Sequence, residues 1–322
     1  MDDMLVGTLV ASTLRVSVPL ILCALAGLLS ERSGVIDLGL EGKMLLTAFA
    51  TASVGATTGS FALALAAALA VGVALSMLHA YACVSHGGDQ VVLGIAITMM
   101  AAGLTVVLGI AWFSLGGQTP PLSEAVRLHA LLPGAATWLR EVPGVGPTLA
   151  LALFGHNAFV YGSLVAVAAV WWLLYRTRFG LRLRATGENP TMVDAAGVSV
   201  QRLRYQALAL NGVLCSLAGS YLVLAMNPSF IPNMTAGRGY MALAAMIFGK
   251  WRPVAALWAC LLFGFLDAVS IRLQGVALPG VGQVPVQAIQ ELPYVLTVVL
   301  LAGFIGHAVA PKALGRPYVK ER

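Results

Sequence analysis

Runs of about 20 residues without a charged side chain recur along this chain, each long enough to cross a hydrocarbon core of about 30 Å. Val91–Phe113 and Asn157–Tyr175 contain no Asp, Glu, Lys or Arg at all. In lipid a backbone must satisfy its own polar groups, so runs of this kind fold as helices. Of the 322 residues, 59% are hydrophobic and 10% charged, too little charge to clothe a water-soluble globule of this size. The chain therefore reads as an all-α, polytopic transmembrane helix bundle. It occupies residues 1–322 as a single membrane domain, with no room for a sizeable soluble one.

Apolar segments lie at Leu5–Leu29, Lys43–Thr58, Phe61–Val84, Val91–Phe113, Asn157–Tyr175, Tyr205–Met226, Gly239–Phe248, Val254–Arg272 and Ala288–Val309. These make about nine crossings, and Lys43–Thr58 and Gly239–Phe248 are too short to span straight. The chain opens on acidic Met1-Asp2-Asp3-Met4, without the basic region of a cleaved signal, so the first segment is expected to stay as a span. Arg176, Arg178, Arg182, Arg184, Arg202 and Arg204 cluster in one connection, and Lys312, Arg316, Lys320 and Arg322 in the tail. Cations resist translocation, which puts both clusters in the cytoplasm. Counting spans back from Arg176 then places the N-terminus outside, the C-terminus inside and the Ser114–His156 connection outside. The net charge of +6 reads as anchoring to anionic membrane lipid and not as nucleic-acid binding. Two stripes of small residues, Ala64-Ala68-Gly72 and Gly212-Ser216-Ser220, are spaced for close helix approach in lipid.

No catalytic motif is present in the sequence. The five histidines are scattered without metal-ligand spacing, and Cys23, Cys83, Cys215 and Cys260 all fall in apolar stretches as small core residues. There is no nucleophile elbow. Gly42-Lys43 and Gly249-Lys250 lack the upstream glycine and following hydroxyl of a P-loop. The expectation is a protein that is not an enzyme, with no catalytic residue, metal or cofactor and no ATP site of its own.

Three stretches carry the remaining signal. Ser30–Lys43 sets charges and glycines between two apolar segments. A broken backbone at membrane depth is tolerated only where protein or a water-filled cavity satisfies it. Gly34, Asp37, Gly39 and Glu41 are thus candidates for a discontinuous element beside a translocation route, with Asp37 and Glu41 on one face if helix has resumed. A cytoplasmic hairpin with solvated charges is the alternative. In the second half, Asn227–Arg238 leads into the short segment Gly239–Phe248, a pairing of abbreviated segments that points to a transporter's central pathway. Gly237, Gly239 and Asn233 join the candidates, with Asn211 and Asp267 as polar residues inside apolar spans; Arg272 is a partner for Asp267. The third stretch, residues 176–204, reads as a cytoplasmic loop holding a short helix. Gly187, followed by Glu188, can end a turn, and Asn189-Pro190 favours turn initiation, with Pro190 suited to the first helical position. Thr191–Ala196, with Asp194, Ala195 and Ala196, is the expected short helix, closed by Gly197 as a left-handed cap. Such a capped helix among arginines suits docking to another protein.

The same stretches carry a resemblance. Glu31-Arg32-Ser33-Gly34-Val35-Ile36-Asp37-Leu38-Gly39-Leu40-Glu41-Gly42 resembles a signature of permease subunits of nucleoside ABC importers, within the branched-chain amino acid, ribose and nucleoside permease superfamily. Gly187-Glu188-Asn189-Pro190 with Ala195-Ala196-Gly197-Val198 is similar to that family's coupling segment, and Thr235–Trp251 to a further block. Asp37 stands where nucleoside members usually carry Asn, and Lys43 where they carry an apolar residue. The resemblance implies an inner-membrane permease that moves nucleosides or related purine-like solutes, with simple sugars as the nearest alternative. It also implies a second, non-identical permease subunit, two cytoplasmic ABC ATPase domains docking at 187–197, and an outer substrate-binding lipoprotein. A proton-coupled carrier relaying through Asp37, Glu41 or Asp267 is a further alternative.

Overall fold

A computed structural model describes residues 2–131, 146–273, 277–278, 282–283, 295, 299 and 309–319. Within them the chain is almost wholly helical. The long helices are α1 (Asp2–Arg32), α2 (Leu40–Thr58), α3 (Phe61–Ala80) and α4 (Gln90–Phe113). After the short α5 (Gly146–Leu149) come α6 (Ala158–Arg176), α7 (Arg178–Glu188) and α8 (Pro190–Ala195). The second half adds α9 (Val200–Tyr221), α10 (Arg238–Phe248) and α11 (Pro253–Leu273). A two-residue antiparallel pair, Ala277–Leu278 with Gly282–Gln283, is the sole sheet among the described residues.

Six helices among the described residues are long and apolar enough to cross a membrane, and a seventh apolar helix, α10, has only 11 residues. The apolar segment Lys43–Thr58 departs from expectation. It belongs to α2, which begins at Leu40 and runs 19 residues, so it is not abbreviated. Glu41 and Lys43 were legible only as charges, yet both are buried and paired, which lets the helix start before them. The idea of two matching short segments therefore fails on its first member. The apolar segment Ala288–Val309 lies almost entirely outside the described residues.

Burial separates centre from periphery. Buried residues fill 67% of the apolar window of α1 and 78% of that of α9, against 22–33% for α3, α4, α6 and α11. The first two form the core, with α2 and α10 packed beside them, and Leu25, Leu29, Met44, Ala218, Leu222, Ala242 and Met246 in its main cluster. The outer helices show Val92, Met99, Val107, Trp172 and Trp258 outward, as lipid-facing surfaces do. The two small-residue stripes meet each other. A Cβ on Gly212 would stand 2.6 Å from the Gly72 carbonyl oxygen, and Ser216 Oγ donates to the Ala68 carbonyl at 2.9 Å. Backbones this close leave no room for larger side chains, so this contact fixes α3 on α9.

The stretch 176–204, expected as a loop holding one short helix, carries two, α7 and α8, before α9 begins at Val200. Thr177 caps α7 by accepting from Gly180 N–H, and Gly180, Leu183, Thr186 and Gly187 form its buried stripe. Its two glycines imitate a loop signal but mark close contacts with neighbouring backbone.

Candidate functional site

Residues 33–39 interrupt the chain between α1 and α2, and a buried polar cluster holds the interruption together. Lys43 Nζ donates to Asp37 Oδ2 at 2.6 Å and to Asn211 Oδ1 at 3.1 Å. His79 Nδ1 stands 3.2 Å from Asp37 Oδ1, which also accepts from Gly39 N–H. Ser76 Oγ donates to Asn211 Oδ1, while Asn211 Nδ2 donates to the Ala26 carbonyl. Asp37, Lys43, His79, Ser76 and Asn211 are all fully buried. A lone charge there would be prohibitively costly, and a hydrogen-bonded pair is tolerated. The cluster ties the break to α1, α2, α3 and α9 at one point.

A second fastening lies two residues away on α2. The Glu41 carboxylate accepts from Gly237 N–H at 2.8 Å through Oε1 and from Gly239 N–H at 2.6 Å through Oε2. These amides open α10, so the carboxylate both caps the helix and meets the positive end of its dipole. The approach depends on glycine: a Cβ at position 239 would fall 2.6 Å from the Glu41 backbone.

The far end of α10 is fastened as well. Trp251 Nε1 donates to Glu31 Oε2 at 2.6 Å, and Arg32 donates to the Trp251 carbonyl through Nε and Nη2 at 3.0 and 2.7 Å. The last turn of α1 thus grips the α10–α11 turn. Arg204, fully buried on α9, donates from Nε to the Ser33 carbonyl and from both Nη atoms to that of Arg316.

The short helix α8 adjoins this assembly. Asn189 Oδ1 accepts from Met192 N–H, Pro190 takes the first helical position, and Gly197 adopts φ 78°. The helix therefore starts and stops where the sequence signals put it. Glu188 ends α7, Asp194 and Ala195 lie in α8, and Ala196 caps it. Gly187 is pressed against α1, and a Cβ there would stand 2.4 Å from the Arg32 carbonyl oxygen. The tail stitches both sides: Ala313 N–H donates to the Gly187 carbonyl and Gly315 N–H to that of Gly34. The coupling candidate and the chain break are one continuous structure.

The family model for the branched-chain amino acid transport system permease component matches residues 9–305. The chain belongs to this permease family. Among its relatives, the guanosine ABC transporter permease protein NupQ of Bacillus subtilis is 37% identical, over 98% of each chain. The nucleoside ABC transporter permease protein NupC of Lactococcus lactis is 35% identical over 98% of this chain and 97% of its own. A candidate glucose ABC transporter permease protein of Haloferax volcanii, TsgC13, is 36% identical over 84% of this chain and 79% of its own. With six helices of spanning length among the described residues, this permease is a multi-pass protein of the plasma membrane.

Not every candidate converges on the permease's core. Asp37, Gly39, Glu41, Asn211, Gly237 and Gly239 come together around the start of α2, while Gly34 lies against Arg204 and the tail at Ala313. Asn233 is exposed in the preceding turn at φ 57°, outside both fastenings. Asp267 is half-buried on α11, and the cation acting on it is Arg238. Sequence reasoning missed Lys43, His79 and Ser76 as partners, along with Arg204 and the Glu31–Trp251 bond. A lysine opening an apolar run six residues after an aspartate was the available signal. Among the described residues no three His, Cys, Asp or Glu side chains gather as a metal set.

Proposed function

We propose that this chain is the membrane-spanning permease subunit of an ABC importer for nucleosides or related purine-like solutes. The observation that carries the reading is the continuity of α8, Gly187, the last turn of α1 and the buried break. With no P-loop in the sequence, motive force comes from two cytoplasmic ABC ATPase domains. Their docking surface is the α7–α8 pair, which holds Leu181 and Met192 outward at 62% and 68% exposure. ATP-driven closure pushes on α8, and Gly187 hands the displacement to Arg32 and the break. The solute crosses unchanged, with no bond made or broken. Glycines and polar residues around α2 and α10 (Gly34, Asp37, Gly39, Glu41, Asn211, Asn233, Gly237, Gly239 and, on α11, Asp267) border the route.

In this reading the chain makes about nine crossings, with the N-terminus outside and the arginine-rich face inside. A second, non-identical permease subunit completes the pathway, and an outer substrate-binding lipoprotein delivers the solute. The named substrates of NupQ and NupC favour nucleosides. The relation to TsgC13 supports a sugar as the second choice. A proton relay is disfavoured because the Asp37 and Glu41 carboxylates are both committed to fixed donors. Deleting Pro190–Gly197 is expected to abolish solute-stimulated ATP hydrolysis by the reconstituted complex while the chain still folds. Stimulation equal to wild type rejects the docking role, and uptake by the chain alone rejects the importer reading.

A further inference from the structure

A groove of about 720 Å³ opens where three span ends meet, the C-terminal ends of α1 and α6 and the N-terminal end of α11. Arg32, Arg184 and Arg252 line it together with Trp171, Tyr175 and Trp258, and among the described residues no carboxylate belongs to its lining. Glu188 is an acid whose charge reaches Arg32 from outside that lining. Two features mark the groove as built for an anion. The Arg184 guanidinium stacks on the Tyr175 ring, 4.8 Å from its centroid, which fixes its plane. Arg184 Nε is shielded from solvent and, among the described residues, has no hydrogen-bond partner.

The two other arginines complete the field. Arg32 spends Nε and Nη2 on the Trp251 carbonyl but keeps its charge, and Arg252 is exposed at the rim. Three cations that repel one another gain from a shared anion. The groove also lies at the depth of a lipid headgroup, because spans end there and indole rings surround it. Below the rim the wall turns apolar: Val254, Trp258 and Leu262 on α11 are 47%, 67% and 39% exposed toward the lipid side. A soluble anion has no use for that wall, whereas an acyl chain does.

We propose that this groove binds the headgroup phosphate of an anionic diacyl phospholipid, with its acyl chains along α11. The site is distinct from the route around α2, and it rests on the membrane-spanning fold alone. Arg184 sits on α7 three residues before Gly187, so a bound lipid ties the root of the coupling helices to the bilayer surface.

The test is native mass spectrometry of the full chain titrated with phosphatidylglycerol or phosphatidylcholine. Phosphatidylglycerol is expected to be retained about ten-fold more tightly, and Arg184→Gln/Arg252→Gln to remove most of that preference. Arg272→Gln, at the other end of α11, should leave it intact. Equal retention of the two lipids, or a preference that survives the double substitution, overturns the proposal. So does displacement of phosphatidylglycerol by equimolar inorganic phosphate, which would mark a soluble-anion site. If the double variant does not fold, exposed Trp258→Ala carries the test: it should weaken phosphatidylglycerol retention about three-fold, and no change contradicts the site.

Discussion

Two interruptions of the helical chain lie side by side in this permease and are held by opposite means. After α1, side chains secure the turn: Asp37 is neutralised by Lys43, and Lys43 is shared with Asn211. Before α10, the chain's own amides do the work, with Gly237 and Gly239 both donating to one carboxylate. The first arrangement depends on mutual neutralisation where water is absent, so losing one partner strands the other. The second depends on steric fit, since Glu41 reaches both amides only because position 239 carries no side chain. Lys43 and Glu41 stand two residues apart, so one turn of α2 bears both fastenings. Any motion of that turn reaches both breaks together.

The contrast can be broken most forcefully at Lys43. Lys43→Met removes the cation nearest to the buried Asp37, leaving it only Gly39 N–H and the His79 ring, and is expected to cost about 3–5 kcal/mol. Thermal unfolding of the purified chain reads this as a collapse in stability, and Asp37→Asn in the same chain should restore most of it. If the single substitution is as stable as wild type, the ion pair is not what holds the first break. At the second break, Glu41→Gln exchanges one acceptor oxygen for a donor and Gly239→Ala forces a backbone clash, each costing about 1–3 kcal/mol. Because both act on one contact, the double variant should cost less than the two added. Strict additivity in the same melts shows that they do not share it. Smallest is Asn189→Ala, which removes the cap of α8 for about 1 kcal/mol. It should leave global unfolding almost unchanged while speeding amide exchange in residues 190–197.

What was legible in the sequence follows the range of the forces involved. The capped helix at Pro190–Ala195 could be read because Asn189, Pro190 and Gly197 act on their own neighbours. Both breaks were visible because glycines and charges interrupt apolar runs. The partners were hidden, since Lys43 meets Asn211 across 168 positions and Asp37 meets His79 from another helix. Such pairings follow from helix rotation, which spacing along one segment does not determine. The start of α2 is hidden for the same reason: the sequence shows Glu41 beside a break and Lys43 opening an apolar run, but not their partners on α10 and α9 that let the helix begin at Leu40. In α7 the stripe Gly180-Leu183-Thr186-Gly187 is present in the sequence, but Gly187 reads there as the end of a turn, whereas in the fold it serves close packing against α1.

The central claim is that force applied at α8 reaches the break through Gly187. Gly187→Ala tests it directly, because the added Cβ would stand 2.4 Å from the Arg32 carbonyl oxygen and must part the two backbones. In the reconstituted complex, solute moved per ATP hydrolysed should fall about ten-fold, while the ATPase subunits still co-purify with the chain. Wild-type transport per ATP, with α8 still engaged by the ATPases, would contradict the account.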